Sequence, residues 1–98
     1  MSLGSDQRKF SLMVAQLIIF AYDAGYEITL GDAFADSGHK EGSFHYLRLA
    51  IDLNLFKDGV YLTETSDHEP LGAYWLSMGG TWGGNFRRPD GNHYSYTE

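Results

Sequence analysis

The sequence predicts an α+β domain with a small, mainly antiparallel sheet packed against two or three helices. Three observations carry this prediction: a long amphipathic helical stretch near the N-terminus, a strictly alternating apolar segment in the middle, and a shorter helical stretch that glycines end. The chain has 98 residues, of which 43% are hydrophobic and 20% charged, a balance typical of a globular protein. We therefore treat residues 1–98 as a single domain.

The first helix is predicted from about Asp6 to Ala24. Ser5 or Asp6 can cap its start, and Gly25 can end it. Residues 1–5 are small, polar and unpatterned; they are a candidate remnant of expression and do not enter the prediction of the fold. The apolar residues of the helix recur at helical spacing: Phe10, Met13, Val14, Leu17, Ile18, Ala21 and Tyr22.

Strands are predicted on both sides of a polar, glycine-bearing loop at 31–42. The segment 26–30 alternates and is rich in strand-forming residues. The segment 47–55 alternates strictly, so leucine and isoleucine share one face while the other face carries polar or small residues, among them Arg48 and Asp52. The segment 57–59 reads as a turn that leads into a hairpin partner at 60–62.

A second helix is predicted from the helical spacing of Leu71, Tyr74, Trp75 and Met78, followed by two glycines. Residues 81–90 are glycine-rich and irregular, and residues 93–96 are expected to form a last short strand. His68 lies just before the second helix, next to Glu69 and Pro70. It is interpreted as part of the sequence that starts this helix, not as a metal ligand.

The absence of cysteine excludes disulfides, thiolate metal sites and cysteine nucleophiles. A metal would need His and carboxylate ligands, which suit an open catalytic Zn²⁺ site. The net charge of −6 disfavours nucleic acid and anionic membranes as partners. The longest apolar stretch, 12–21, is too short to span a bilayer, and no signal peptide is recognisable. We expect a monomer.

Asp52 is the first candidate for a functional site. Its neighbours on the same strand face, Ala50 and Asn54, are small and leave room for a carboxylate at the floor of a cleft. His45, seven residues earlier, can share a zinc ion with it. Because the odd spacing places the two on opposite faces of a regular strand, the chain must bend between residues 43 and 47.

His93 is the natural third ligand, and Asp90 lies three residues before it. Two histidines and one aspartate would leave a position for water, whose pKa zinc lowers to about 7. Asp90 could take the proton and deliver it to the leaving amine. The alternatives are a structural or surface histidine at 45, a solvated strand carboxylate at 52, a surface histidine at 93, and a turn-forming aspartate between Pro89 and Gly91.

Two motifs resemble the M15 family of zinc peptidases. Its S-x-H-x-x-G-x-A-x-D signature is matched by Ser43-x-His45-x-x-Arg48-x-Ala50-x-Asp52. Its second motif, an acidic residue three positions before a histidine and an aromatic residue, resembles Asp90-x-x-His93-Tyr94. The family includes D-alanyl-D-alanine carboxypeptidases and dipeptidases, and phage endolysins that cleave the L-alanyl-D-glutamate bond. The segments 48–56 and 82–84 resemble small phage and prophage members.

The resemblance covers 10–96 and implies the fold shared by these peptidases and the hedgehog signalling domain, with a zinc cleft on the sheet. Arg48 replaces the usual glycine of the first motif. Ala35 stands where many members carry an arginine that is thought to stabilise the oxyanion, and Arg48 could supply that charge instead. The resemblance implies three zinc ligands and one base: His45, Asp52 and His93, and Asp90.

A second partial match begins at Ser37-x-His39-x-x-Gly42, but it would place Phe44 and Tyr46 where alanine and aspartate belong. His39 is therefore interpreted as a loop residue near the cleft. Four residues are candidates for substrate contact: His39, Ser43, Trp82 and Tyr94.

The resemblance implies a zinc-dependent peptidase that hydrolyses an amide bond of peptidoglycan stem peptides. An endolysin-like endopeptidase is favoured over a carboxypeptidase because the chain is small and no signal peptide is recognised. Such a phage enzyme stays in the cytoplasm until a membrane pore releases it to the cell wall. The alternatives are a metal-binding module without catalysis, which Ala35 favours, and a phage structural or tail-associated component.

Overall fold

A computed structural model of the chain describes residues 2–33 and 47–96. These ranges contain two 3-10 helices, Thr65–His68 and Gly83–Asn85. The α+β class is confirmed, since every described strand pair is antiparallel. The helices and strands are α1 (Leu3–Asp23), β1 (Glu27–Leu30), β2 (Ala50–Lys57), β3 (Val60–Leu62), α2 (Glu69–Ser77), β4 (Thr81–Trp82) and β5 (His93–Ser95).

β2 is the central strand of the sheet that the described residues form. β1 pairs along one edge of β2, and both β3 and β5 pair along the other, with β4 outside β5. The β2–β3 hairpin is confirmed: Lys57 pairs with Val60, and Asp58 and Gly59 have positive φ angles of 52° and 77°. Two successive positive φ angles match the right-handed twist of a hairpin.

The core joins the apolar face of α1 to the leucine and isoleucine face of β2. Leu17, Leu53 and Leu55 are fully buried there, and Trp75 of α2 closes the same cluster. The predicted periodicities therefore identified the faces that meet. As a result, the opposite face of β2, which carries Asp52, is left available for a site.

α1 starts earlier than predicted. It begins at Leu3, and the Ser2 side chain accepts a hydrogen bond from the Ser5 backbone N–H at 3.1 Å. Small polar residues carry no apolar periodicity, so the pattern missed this first turn, and residues 3–5 belong to the helix. No helix in the described ranges is long and apolar enough to cross a membrane.

β2 starts later than predicted, at Ala50. Leu47 is 42% exposed, and Arg48 lies in a turn with a φ of +57°. The prediction that Arg48 lies in the strand, on the face of Asp52, is therefore wrong. Alternation of polarity does not report φ, and a residue in the left-handed region cannot continue a strand. The chain changes direction immediately before β2.

Arg48→Gly is expected to raise the free energy of unfolding by about 0.5–1 kcal/mol. The left-handed conformation costs an L-residue about 1–2 kcal/mol, and the extra unfolded-state freedom of glycine offsets about half of that. Urea denaturation would measure the change. Arg48→Ala is the matched control, because it removes the side chain but keeps the backbone strain. An equal gain in both variants would contradict the explanation.

Candidate metal centre

Asp52 and His93 are direct neighbours across β2 and β5. The antiparallel register pairs the two residues, so their side chains lie on the same face of the sheet. His93 Nδ1 lies 3.7 Å from Asp52 Oδ1, and His93 is only 8% exposed while Asp52 is half-buried. Two ligands with zinc bonds of about 2.1 Å at a tetrahedral angle lie about 3.4 Å apart. This pair therefore fits a shared ion.

Backbone hydrogen bonds hold Asp52 on both sides of β2. On the β1 side, the partners are the residues that directly follow β1. Gly31 N–H donates to the Asp52 carbonyl oxygen at 2.8 Å, and Asp52 N–H donates to the Asp32 carbonyl oxygen at 2.9 Å. On the other edge, Leu53 N–H donates to the Asn92 carbonyl oxygen at 2.9 Å. A carboxylate in the middle of a strand held on both edges is positioned before any ligand arrives.

Asp90 reaches the same place from the loop before β5. Its N–H donates to the Gly83 carbonyl oxygen at 2.8 Å, and its carbonyl oxygen accepts from the N–H of His93 at 3.1 Å. Side-chain ligand atoms of Asp52, Asp90 and His93 all lie within 4.8 Å of one another. The donor set of one imidazole and two carboxylates suits Zn²⁺. Asp90 is exposed.

Gly83 permits the close approach of the Asp90 loop to β5. A Cβ atom on Gly83 would collide with the backbone carbonyl oxygen of Asp90 and lie 2.8 Å from the Cβ of His93. Both obstacles belong to the candidate site and neither is the far end of a flexible side chain. The position therefore requires glycine for the geometry of the site.

If the cluster has the catalytic role that the M15 resemblance implies, Gly83→Ala is expected to lower kcat/KM on a peptide substrate about 100-fold, since a displacement of about 1 Å has that effect on catalytic groups. The free energy of unfolding should fall by about 1–3 kcal/mol from overpacking. Steady-state hydrolysis and urea denaturation would measure the two effects. Gly4→Ala in α1 is the matched control, because there the new Cβ meets only the end of the Arg8 side chain at 3.5 Å. Unchanged hydrolysis by Gly83→Ala would contradict this account.

Phe86 forms one wall beside the cluster. Its ring centroid lies 5.2 Å from that of His93, and the side chain is 40% exposed. Phe86 could not be identified from the sequence, because the irregular segment around it has no periodicity from which to infer the direction of a side chain. An exposed aromatic ring next to a candidate metal ligand can offer apolar contact to a bound molecule.

Tyr94 and Trp82 lie in the core. Tyr94 follows His93 on β5, and successive strand residues point to opposite faces, so its fully buried side chain enters the core. Trp82 is 7% exposed, and its Nε1–H donates to the Gly91 carbonyl oxygen at 2.7 Å. The structure gives both residues a packing role, and their predicted contact with substrate stays a prediction.

His68 occupies the N-cap position of α2 without a side-chain capping hydrogen bond, and it is buried, at 3% exposure. Its Nδ1 lies 2.7 Å from the Tyr94 hydroxyl oxygen. Burial lowers the pKa of His68 below its usual value, and burial raises the pKa of the Tyr94 hydroxyl. Both side chains are therefore neutral at neutral pH. Sequence spacing offered no signal for this contact.

Four residues of the sequence analysis lie outside the described residues: Ala35, His39, Ser43 and His45. The ligand role of His45 and the substrate contacts of His39 and Ser43 stay predictions. Arg48 is exposed in the turn before β2. Its predicted role, stabilisation of the oxyanion by its positive charge, also stays a prediction.

A family model described as D-alanyl-D-alanine carboxypeptidase, of the M15 peptidases, matches residues 37–96. The match covers more than half of the chain and includes both motifs. No curated protein matches the chain.

Proposed function

The chain belongs to the M15 peptidase family, and on that premise we propose that it is a zinc-dependent peptidase that hydrolyses an amide bond in peptidoglycan stem peptides. The family supports action on peptidoglycan peptides in general. The observation that carries the proposal is the cluster of Asp52, Asp90 and His93 on the sheet, whose ligand atoms lie within 4.8 Å of one another.

Asp52 and His93 would hold the metal together with His45, the ligand expected from the first motif. A bound Zn²⁺ would supply Lewis acidity toward the amide carbonyl and toward water. The sheet positions the two described ligands by backbone pairing, so little reorganisation is needed on binding. Phe86 shields one side of His93 from water.

Asp90 carries the proton in this proposal. Its carboxylate accepts a proton from the attacking water as the new C–O bond forms, and then gives it to the amide nitrogen as the C–N bond breaks. The products are a carboxylic acid and an amine. The turn position of Asp90 supports this role, because the loop places the carboxylate beside the ligands and leaves it exposed.

A finer proposal is an endolysin-like endopeptidase that acts on the cell wall, which the resemblance of 48–56 and 82–84 to small phage members supports. The second candidate is a metal-binding module without catalysis. Ala35 favours this module, because the family arginine at that place would stabilise the oxyanion. Arg48 is the cation nearest in sequence to Asp52, and it is the group that could replace that charge.

Hydrolysis of purified peptidoglycan by the zinc-loaded protein tests the proposal. Mass spectrometry of the products distinguishes the bonds: an endopeptidase exposes a new internal amino terminus, whereas a carboxypeptidase releases free D-alanine. Protein treated with a chelator is the control and should be inactive until zinc is restored. If the zinc-loaded protein releases neither product, the peptidase is refuted, and stoichiometric zinc in that inactive protein would favour the module.

A further inference from the structure

A pocket opens next to the side-chain cluster of Asp52, Asp90 and His93. It lies between the β2–β3 hairpin, the 3-10 helix Thr65–His68 and the loop before β5. It is lined by residues 61–65 and 89–92 and by His68, and its volume is about 220 Å³. At about 30 Å³ for each molecule of liquid water, this is room for roughly seven waters. Asp90 belongs both to the pocket lining and to this side-chain cluster, so a molecule in the pocket lies beside the proposed catalytic residues.

The charge of the pocket is negative. Glu64 and Asp90 contribute two carboxylates, and none of the described residues that line the pocket is lysine or arginine. Glu64 precedes the 3-10 helix, and its backbone N–H donates to Asp67 Oδ2 at 3.0 Å, which anchors the residue at the rim. A concave site with charges of one sign attracts a ligand group of the opposite sign.

His68 is a second, independent sign of a binding site. Its Nδ1 is the hydrogen-bond partner of the buried Tyr94 hydroxyl, whose proton has no other acceptor among the described residues. Tyr94 therefore donates to Nδ1, and the proton of the neutral ring lies on Nε2. Nε2 has no hydrogen-bond partner within 2–33 and 47–96, and the ring lines the pocket. An N–H donor of a residue that is only 3% exposed is thus left for a ligand oxygen in the pocket.

We propose that this pocket is a substrate subsite for an amino-acid residue whose side chain ends in an ammonium group. The carboxylate of Glu64 binds the ammonium, and His68 Nε2–H donates to a carbonyl or carboxylate oxygen of the same residue. The inference rests on the proposed function in that the ligand is a peptide. It adds a selection for a basic residue within the peptide substrate.

Binding and hydrolysis of paired peptides test the subsite. Two stem peptides differ only in a free or an acetylated side-chain amine, and each is made in a cleavable form and in a reduced-amide form that cannot be cleaved. Calorimetry with the zinc-loaded protein measures the affinity for the uncleavable pair, and kcat/KM is measured for the cleavable pair. The free amine is expected to bind about threefold more tightly, as exposed ion pairs typically allow.

Glu64→Gln is expected to abolish the preference for the free amine, because the amide keeps the shape and loses the charge. Glu69→Gln is the matched control: Glu69 is an exposed acid at the start of α2, outside the pocket lining, and this variant should keep the preference. A preference that survives Glu64→Gln would overturn the assignment of Glu64.

His68→Asn is expected to lower the binding affinity for both uncleavable peptides about fivefold, while the zinc content of the protein stays unchanged. Asparagine can place a polar atom where Nδ1 meets Tyr94, but it lacks the Nε2–H group. A packing role alone would lower stability without this common loss of affinity, so unchanged affinity would refute the contact.

The two proposals fail in different ways. Equal affinity of the unmutated protein for both uncleavable peptides would overturn the subsite, whether or not the cleavable peptides are hydrolysed. A preference for the free amine in calorimetry without hydrolysis of either cleavable peptide would support the subsite and refute the peptidase.

Discussion

Asp90→Asn is expected to lower kcat on a stem peptide by about 10²–10⁴-fold, the range that a general base contributes. The amide side chain keeps the size of the carboxylate but cannot accept the proton from water at neutral pH. Zinc content should stay stoichiometric, because the proposed ligands are Asp52, His93 and His45. Steady-state kinetics and elemental analysis of the same preparation would measure both quantities.

Asp23→Asn is the matched control for Asp90→Asn, since Asp23 is an exposed carboxylate at the end of α1. Its kcat should equal that of the unmutated protein. Full activity of Asp90→Asn would show that another group takes the proton. Loss of zinc from Asp90→Asn would identify Asp90 as a ligand and refute its assignment as the base. Asp90 is close enough for that role, because its ligand atom lies within 4.8 Å of those of Asp52 and His93.

His93→Ala is expected to abolish stoichiometric zinc binding. The affinity should fall by more than the roughly 10–100-fold that the loss of an outer-shell partner costs, because a direct ligand is removed. Zinc added to the unmutated protein should raise its Tm, and this increase should be absent in His93→Ala. Elemental analysis after dialysis and thermal unfolding with and without zinc would measure the two effects.

His45→Ala and His39→Ala form the matched pair that tests the remaining ligand. The first motif predicts that His45→Ala loses zinc, while His39 starts an incomplete copy of the motif and its variant should keep the metal. The opposite result would transfer the ligand role to His39. Zinc retained by both His45→Ala and His93→Ala would refute the proposed ligand set.

The amino-acid sequence was sufficient for the class of fold and for three residues of the candidate site. Apolar residues at helical and alternating spacing located the helices, β2 and its hairpin partner, because burial of one face imposes those periods. The absence of cysteine and the two motifs singled out Asp52, Asp90 and His93, which the fold brings together. These signals are local, since each depends on residues only a few positions apart.

Only the tertiary structure decided which residues are in contact and which faces are exposed to solvent. The pairing of Asp52 with His93 depends on the register between β2 and β5, which neither strand encodes alone. The left-handed turn at Arg48 moved that residue out of the strand, because alternation reports polarity and not φ. Tyr94 lies in the core, where it meets His68, since contacts between distant segments follow from how the elements pack and not from spacing along the chain.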